Sequence, residues 1–257
     1  MDQTYLTEPP ILNLLLKMSL PMVVSMLVNS LYNIVDSFFV AKISENAMTA
    51  LSLVFPVQNL INAVMIGFGI GINAVISFYL GAADQKKADQ AASQGMLLGT
   101  FHGILLMIIC LVVIHPFLSL FTNDAEIINL GLRYSKIVFL FSVFFAWELV
   151  FEKVFQAVGK MNISMICLMS GCLVNIFLDP VLIFGLGPFP SLGIEGAALA
   201  TGLGQTFSAI LYLIFYMVAP ISVKFRRAYF KPDFALCKKM YSIGIPASLN
   251  MALPSLL

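Results

Sequence analysis

Two aspartates lie inside long apolar stretches of this chain, where a charged group is costly. Asp36 is near the end of the first stretch, and Asp179 lies in the fifth, with Asn175 one helical turn before it. An ionisable group in the hydrocarbon layer of a membrane costs roughly 3 kcal/mol or more unless it is neutralised or paired, so it usually marks an ion or substrate pathway. The two aspartates therefore predict an ion-coupled transport site.

The fifth stretch places several possible oxygen ligands on one helix face. Gly171, Asn175 and Asp179 follow one another at intervals of four, and Pro180 comes directly after Asp179. Proline has no N–H, so the carbonyl of Ile176 loses its helical partner. Carboxylate, amide and carbonyl oxygens suit a hard cation. The same carboxylate could instead bind a proton, because burial disfavours its charged form. A kinked helix with a satisfied polar contact is the structural alternative.

The first stretch carries a polar stripe. Ser25, Asn29, Asn33 and Asp36 recur at spacings of three and four and so share a face. The asparagines could simply hydrogen-bond to neighbouring helices, whereas Asp36 is harder to explain without a functional role. Thr201 on the sixth stretch could add an oxygen to an ion site, although a packing hydroxyl is the ordinary role of such a residue.

Further polar side chains are candidates for a substrate cavity. We assign this role to Tyr32 and Asn33 on the first stretch and to Gln58 and Asn62 on the second. Glu148 and Glu152 lie toward one end of the fourth stretch, and we expect Glu152 to reach the interface and be solvated.

The composition indicates a membrane protein. Apolar residues make up 60% of the chain and charged residues 11%, and the mean hydropathy is +0.96. Soluble domains carry about 25% charged residues, so this chain predicts an all-α integral membrane fold. The net charge of +1 gives no reason to expect nucleic acid as a partner. No P-loop, nucleophile elbow, zinc spacing or haem motif is present, so we expect neither an enzyme nor a cofactor beyond a coupling ion.

The apolar stretches define six predicted transmembrane helices and the start of a seventh. A spanning helix needs about 20 apolar residues, and the six stretches are 16–41, 48–80, 92–115, 132–158, 161–186 and 194–219. We predict a six-helix lobe at 1–219, a basic linker at 220–240 and the start of helix 7 of a second lobe at 241–257. Pro21 and Pro246 occupy matching positions early in their stretches, which suggests an internal repeat.

Basic residues predict the orientation in the membrane. With a cytoplasmic amino terminus, only Lys42, Arg133 and Lys136 of the fourteen Lys and Arg residues lie outside, and the other eleven lie inside. Inner loops carry the excess of Lys and Arg in membrane proteins. We expect a multi-pass protein of the plasma membrane with its amino terminus in the cytoplasm and its linker against anionic lipid.

The sequence resembles the multidrug and toxic compound extrusion (MATE) family of transporters over essentially its whole length. The more specific similarities are FQAVG at 155–159, NIFLDP at 175–180 and GIEGAA at 193–198. The resemblance implies twelve helices in two six-helix lobes and the exchange of Na⁺ or H⁺ for organic, often cationic, drugs. It also implies that transport needs a second lobe of similar size.

The resemblance implies roles for particular residues. In prokaryotic members an aspartate on the first helix, an asparagine and an aspartate one turn apart on the fifth, and a threonine on the sixth form a cation site. These positions fall on Asp36, Asn175, Asp179 and Thr201. In a sodium-coupled transporter, Asp36, Asn175 and Asp179 would bind the Na⁺ ion.

Two other functions remain open. A flippase for lipid-linked precursors would favour basic groups in its cavity, whereas the inward-facing positions predicted here are acidic or amide, with no Lys or Arg expected at mid-membrane. A truncated, non-transporting fragment is the other alternative, because one lobe lacks the opposite wall of the cleft.

Overall fold

The computed structural model describes residues 11–253, and this part of the chain is helical and without strands. Residues 1–10 and 254–257, the outermost parts of the predicted first lobe and of the predicted seventh helix, lie outside the described residues. The eight α-helices of the described part are α1 Ile11–Ala41, α2 Glu45–Gly81, α3 Gln85–Phe121, α4 Ala125–Leu140, α5 Ser142–Ala157, α6 Met161–Phe184, α7 Ile194–Val218 and α8 Phe234–Ala252. The predicted all-α membrane fold is confirmed.

Short polar residues fix where the helices begin. Ser44 Oγ accepts a hydrogen bond from the Ala47 amide at 3.0 Å and starts α2. Asp84 and Asp124 cap α3 and α4 in the same way. Such caps satisfy N–H groups that have no partner within the helix, and each contributes about 1 kcal/mol. These capping residues thus determine where each short connection ends and the next helix begins.

The fourth predicted helix is divided. Five helices, α1, α2, α3, α6 and α7, are long and apolar enough to cross a membrane alone. By contrast, α4 and α5 have 16 residues each, or about 24 Å of length. They meet at Phe141, whose dihedrals are φ −83° and ψ 0°, and both contact α2, α3 and α7. We therefore interpret the pair as one membrane pass, with a break where the Phe141 ring packs against Gly202.

The helices pack into one bundle with two distinct ends. α6 contacts α1 and α7, while α2 contacts α3, α4, α5 and α8. At one end, Asn46 donates to Glu126 at 2.8 Å, and Arg133 pairs with Glu195 at 2.7 Å. These contacts gather the α1–α2, α3–α4 and α6–α7 connections at the same end. The α2–α3, α5–α6 and α7–α8 connections lie at the other.

The linker after α7 is anchored to α3. Asp89 accepts hydrogen bonds from the Lys224 amide at 3.0 Å and from Arg226 Nε at 2.9 Å. One turn further along α3, Ser93 Oγ accepts from the Arg226 amide at 3.1 Å. Gln94 donates to two linker carbonyls. The linker is therefore bound to the lobe by buried polar side chains of α3, a contact that its basic composition did not predict.

The linker is also shorter than predicted. The helix that follows the linker, α8, starts at Phe234 and not near Tyr241, so the expected linker at 220–240 overlaps the first turns of α8. The reason is the cap at Asp233, whose Oδ1 accepts from the amides of Ala235 at 3.0 Å and Leu236 at 3.2 Å.

Candidate functional site

A cavity of about 750 Å³ opens between α1, α2, α4, α5, α6 and α7, and Met251 of α8 also reaches it. This volume lies in the range of sites for drug-sized ligands, about 300–1,000 Å³. Its wall includes all four residues assigned to a substrate cavity from the sequence, which are Tyr32, Asn33, Gln58 and Asn62. Polar side chains therefore line a space that is large enough for an organic molecule.

The two aspartates come together because α1 packs against α6. Asp36 is 7% exposed and Asp179 is fully buried, and their carboxylates interact electrostatically. Asp36 Oδ1 and both carboxylate oxygens of Asp179 have no hydrogen-bond partner among the described residues. Two buried carboxylates without donors need a cation or a proton to offset their charge.

Asn175 and Thr201 complete this group. Asn175 Nδ2 donates to Thr201 Oγ1 at 3.4 Å. Asn175 Oδ1 has no hydrogen-bond partner in the described part of the chain. The contact depends on close packing of α6 and α7, because a Cβ on Gly171 would lie 2.9 Å from the Gly204 carbonyl. All four side chains are buried, but Asp36 and Thr201 also line the cavity, whereas Asn175 and Asp179 are not part of its wall.

The donor set suits a hard cation or a proton. It offers two carboxylates, one amide oxygen and one hydroxyl, all of them hard oxygen ligands. Within residues 11–253, no cluster of three or more His, Cys, Asp or Glu side chains is arranged to hold a metal ion. A Na⁺ ion would therefore depend on the two aspartates together with neutral oxygens.

The polar stripe of α1 bonds mainly to its own helix. Ser25 Oγ donates to the Pro21 carbonyl at 2.8 Å, and Asn33 Nδ2 donates to the Asn29 carbonyl at 2.8 Å. These bonds do not reach other helices, so for Asn33 the structure does not support the alternative of interhelical bonding. Their side chains remain on the cavity wall.

A second charged group lies on the cavity wall, and the sequence did not predict it. Lys153 is 8% exposed, and its Nζ lies 3.0 Å from Glu152 Oε1 and 3.1 Å from Gln156 Oε1. Glu148, one turn before Glu152, lines the same wall. The expectation of a solvated Glu152 was wrong, because its partners turn it into the bundle. The available signal was the spacing of 148, 152 and 156 at intervals of four.

Known proteins are similar to this chain over most of its length. Residues 21–181 match the MatE family model. The chain is 31% identical over 250 residues to the multidrug export protein MepA of Staphylococcus haemolyticus, covering 97% of this chain and 54% of that protein. MepA of Staphylococcus aureus is 29% identical over 248 residues, at 95% and 54% coverage.

Solved structures are similar in fold. The outward-facing conformation of a multidrug resistance MATE family transporter of the MOP superfamily aligns with a TM-score of 0.86 and 27% identity, covering 93% of this chain and 52% of that one. A MOP superfamily transporter from Pyrococcus furiosus, described by a binding pocket of reverse polarity, aligns with the same values. The chain thus spans about half the length of the relatives that it matches.

Proposed function

The chain belongs to the MatE family, and we propose that it acts as the first lobe of a secondary antiporter. This antiporter exports organic cations, including drugs, in exchange for Na⁺ or H⁺. The curated relatives are multidrug export proteins, which supports drug efflux as the broader activity. Because the chain spans about half of their length, we propose that transport requires a second lobe to close the cavity.

One observation carries this proposal. Asp36 and Asp179 form a buried carboxylate pair with unpartnered oxygens, and Asp36 faces a drug-sized cavity. We propose that Asp36, Asn175, Asp179 and Thr201 bind the coupling ion, and that Tyr32, Asn33, Gln58 and Asn62 contact the substrate. This arrangement places the ion next to the substrate, so that each affects the free energy of binding of the other.

The helix that carries Asp179 can link ion binding to a change in how α6 packs against α1. Pro180 lies inside α6 and breaks its hydrogen-bond ladder directly after the carboxylate. A bound cation or proton offsets the charge of the Asp36 and Asp179 carboxylates. Without one, the two carboxylates repel each other across the α1–α6 contact. A ligand shifts a conformational equilibrium only if it binds the two states differently. We propose that this charge difference favours different arrangements of α1 against α6.

The charge of the cavity argues against a flippase for anionic lipid precursors. Lys153 lines the cavity, and Glu152 pairs with its ammonium. Asp36 and Glu148 remain as acids, so the described wall has an excess of negative charge. An anionic headgroup would be repelled by this wall, and an organic cation would be attracted to it.

We expect substrate export to depend on an ion gradient. A two-lobe transporter with this chain as its first lobe is reconstituted in vesicles, and ethidium flux is followed under an imposed Na⁺ or pH gradient. Flux that follows one gradient and stops when it is dissipated identifies the coupling ion. Ethidium flux that is indifferent to both gradients, or absent under both, would contradict the proposed antiport.

We also propose that the amino terminus is cytoplasmic and that the protein lies in the plasma membrane. Asn123 and Lys87 are exposed residues at opposite ends of the bundle, in the α3–α4 connection and at the start of α3. In intact cells, a membrane-impermeant maleimide is expected to label a cysteine at position 123 and not one at position 87. Labelling at 87 with none at 123 would reverse the orientation.

A further inference from the structure

We infer that Lys153 sets the charge of the substrate cavity and thereby selects singly charged over doubly charged organic cations. This inference rests on the proposed export of organic cations, and it concerns different residues from the two aspartates proposed to bind the ion. It assigns a role to the charged group on α5, which the proposed ion coupling does not use.

The position of Lys153 is fixed by its surroundings. The side chain lies close to α2, where a Cβ on Gly69 would come within 3.0 Å of Lys153 Cγ. Asn73, one turn further along α2, donates to the Lys153 carbonyl at 3.1 Å. A glycine in α2 therefore leaves room for the aliphatic stem, and the ammonium is held inside the bundle.

The ammonium neutralises one of two neighbouring carboxylates. Lys153 Nζ and Gln156 Nε2 both contact Glu152 Oε1, at 3.0 Å and 2.5 Å. Glu148 is 6% exposed and has no ion pair with a described Lys or Arg. The nearby Ser208 hydroxyl, which donates to the Cys167 carbonyl at 3.1 Å, is neutral and supplies no counter-charge to Glu148. Of the two carboxylates of α5, Glu148 is thus the one without a counter-charge.

The surroundings of Glu148 fit an organic cation. A buried carboxylate is stabilised by a cation that also fills the apolar space around it. The cavity wall supplies such space with flexible methionines, namely Met22, Met26, Met48, Met161, Met165 and Met251. Methionine side chains adapt to ligands of different shape, which is typical of sites that bind many compounds. A drug-sized cation neutralised at Glu148 would therefore share the cavity with these methionines.

Removing the ammonium would create a second cation position. Without Lys153, Glu152 would face the cavity as a second free carboxylate one helical turn from Glu148, at a spacing of about 6 Å. A ligand with two positive charges at similar spacing would then gain an additional attraction. One such charge pair in a partly solvated cavity corresponds to roughly a tenfold change in affinity.

Ethidium and propidium are matched probes, because they share a ring system and carry one and two positive charges. Their dissociation constants are measured by fluorescence with the two-lobe transporter that has this chain as its first lobe, in lipid nanodiscs, for the wild type and for Lys153→Gln. We expect the ratio of propidium to ethidium affinity to rise about tenfold in the variant. Glu152→Gln leaves Lys153 without its partner carboxylate and is expected to weaken both ligands, propidium more strongly. The double variant, with both Glu152→Gln and Lys153→Gln, removes one negative and one positive charge together. It is expected to return the ratio of propidium to ethidium affinity toward the wild-type value.

The control is Lys87→Gln, which removes the same charge from an exposed side chain that pairs with Asp84 at 3.7 Å. An unchanged ratio in Lys153→Gln, or an equal change in Lys87→Gln, would overturn the inference while leaving organic-cation export intact. If the wild-type two-lobe transporter binds neither dye, both the inference and the proposed substrate class fail. The double variant guards against a folding defect, because a misfolded chain would not recover the wild-type ratio.

Discussion

Asp36→Asn and Asp179→Asn are each expected to reduce ion-coupled export by about two orders of magnitude or more. Asparagine keeps the size of the side chain and one carbonyl oxygen, but it cannot change charge when an ion or proton binds. Because the two carboxylates interact across the α1–α6 contact, the loss of either one removes the repulsion that a bound ion would relieve. The measurement is gradient-driven ethidium flux by the two-lobe transporter in vesicles.

A matched control separates this effect from a general loss of charge. Glu45→Gln removes one carboxylate from the exposed first turn of α2, at a position that does not line the cavity, and is expected to transport normally. In the wild type, protons should compete with Na⁺ for the same oxygens, and this competition should disappear in both asparagine variants. If both variants export ethidium as well as wild type at equal expression, the proposed coupling is wrong.

Gly71→Leu is expected to separate α8 from the rest of the lobe. Gly71 lies where α2 crosses α8, and a Cβ there would overlap the Met240 carbonyl oxygen. One turn earlier, a Cβ on Gly67 would overlap Ser248. Backbone atoms of a packed helix cannot move aside as a flexible side chain can, and overpacking of this kind costs about 1–3 kcal/mol or more. Because α8 begins the predicted second lobe, its position against α2 is expected to determine how the two lobes meet.

The alkylation rate of a native cysteine measures the separation of α8 from the rest of the lobe. Cys237 is 9% exposed, and its Sγ lies 3.7 Å from Gln94 Oε1 of α3. Site-resolved mass spectrometry after maleimide treatment is expected to show alkylation of Cys237 at least about tenfold faster in Gly71→Leu than in wild type. Gly81→Leu is the control, because it changes a glycine of the same helix with no atom within 4 Å of the new Cβ. Equal alkylation rates in Gly71→Leu and wild type would show that the crossing tolerates the larger side chain.

The sequence by itself determined five of the six predicted membrane helices and the residues with unusual chemistry, but not the division of the fourth helix. Apolar stretches of spanning length predict the membrane helices whatever their neighbours are, because lipid requires each segment to satisfy its own backbone hydrogen bonds. Spacings of three and four then place Asn175 and Asp179 on one face and Asn33 and Asp36 on another. The motifs at 155–159, 175–180 and 193–198 were sufficient to identify the family, which the match over residues 21–181 bears out.

Only the tertiary structure decided which faces meet. A helical spacing shows that Asp36 and Asp179 each lie on a polar face, but the packing of α1 against α6 brings the two carboxylates together. Lys153 could equally have reached the interface, since its stem is long enough for either direction. The space beside Gly69 and the partner Glu152 turn it into the cavity. These outcomes depend on contacts between residues that are distant in the chain, and the spacing of residues within one helix does not contain that information.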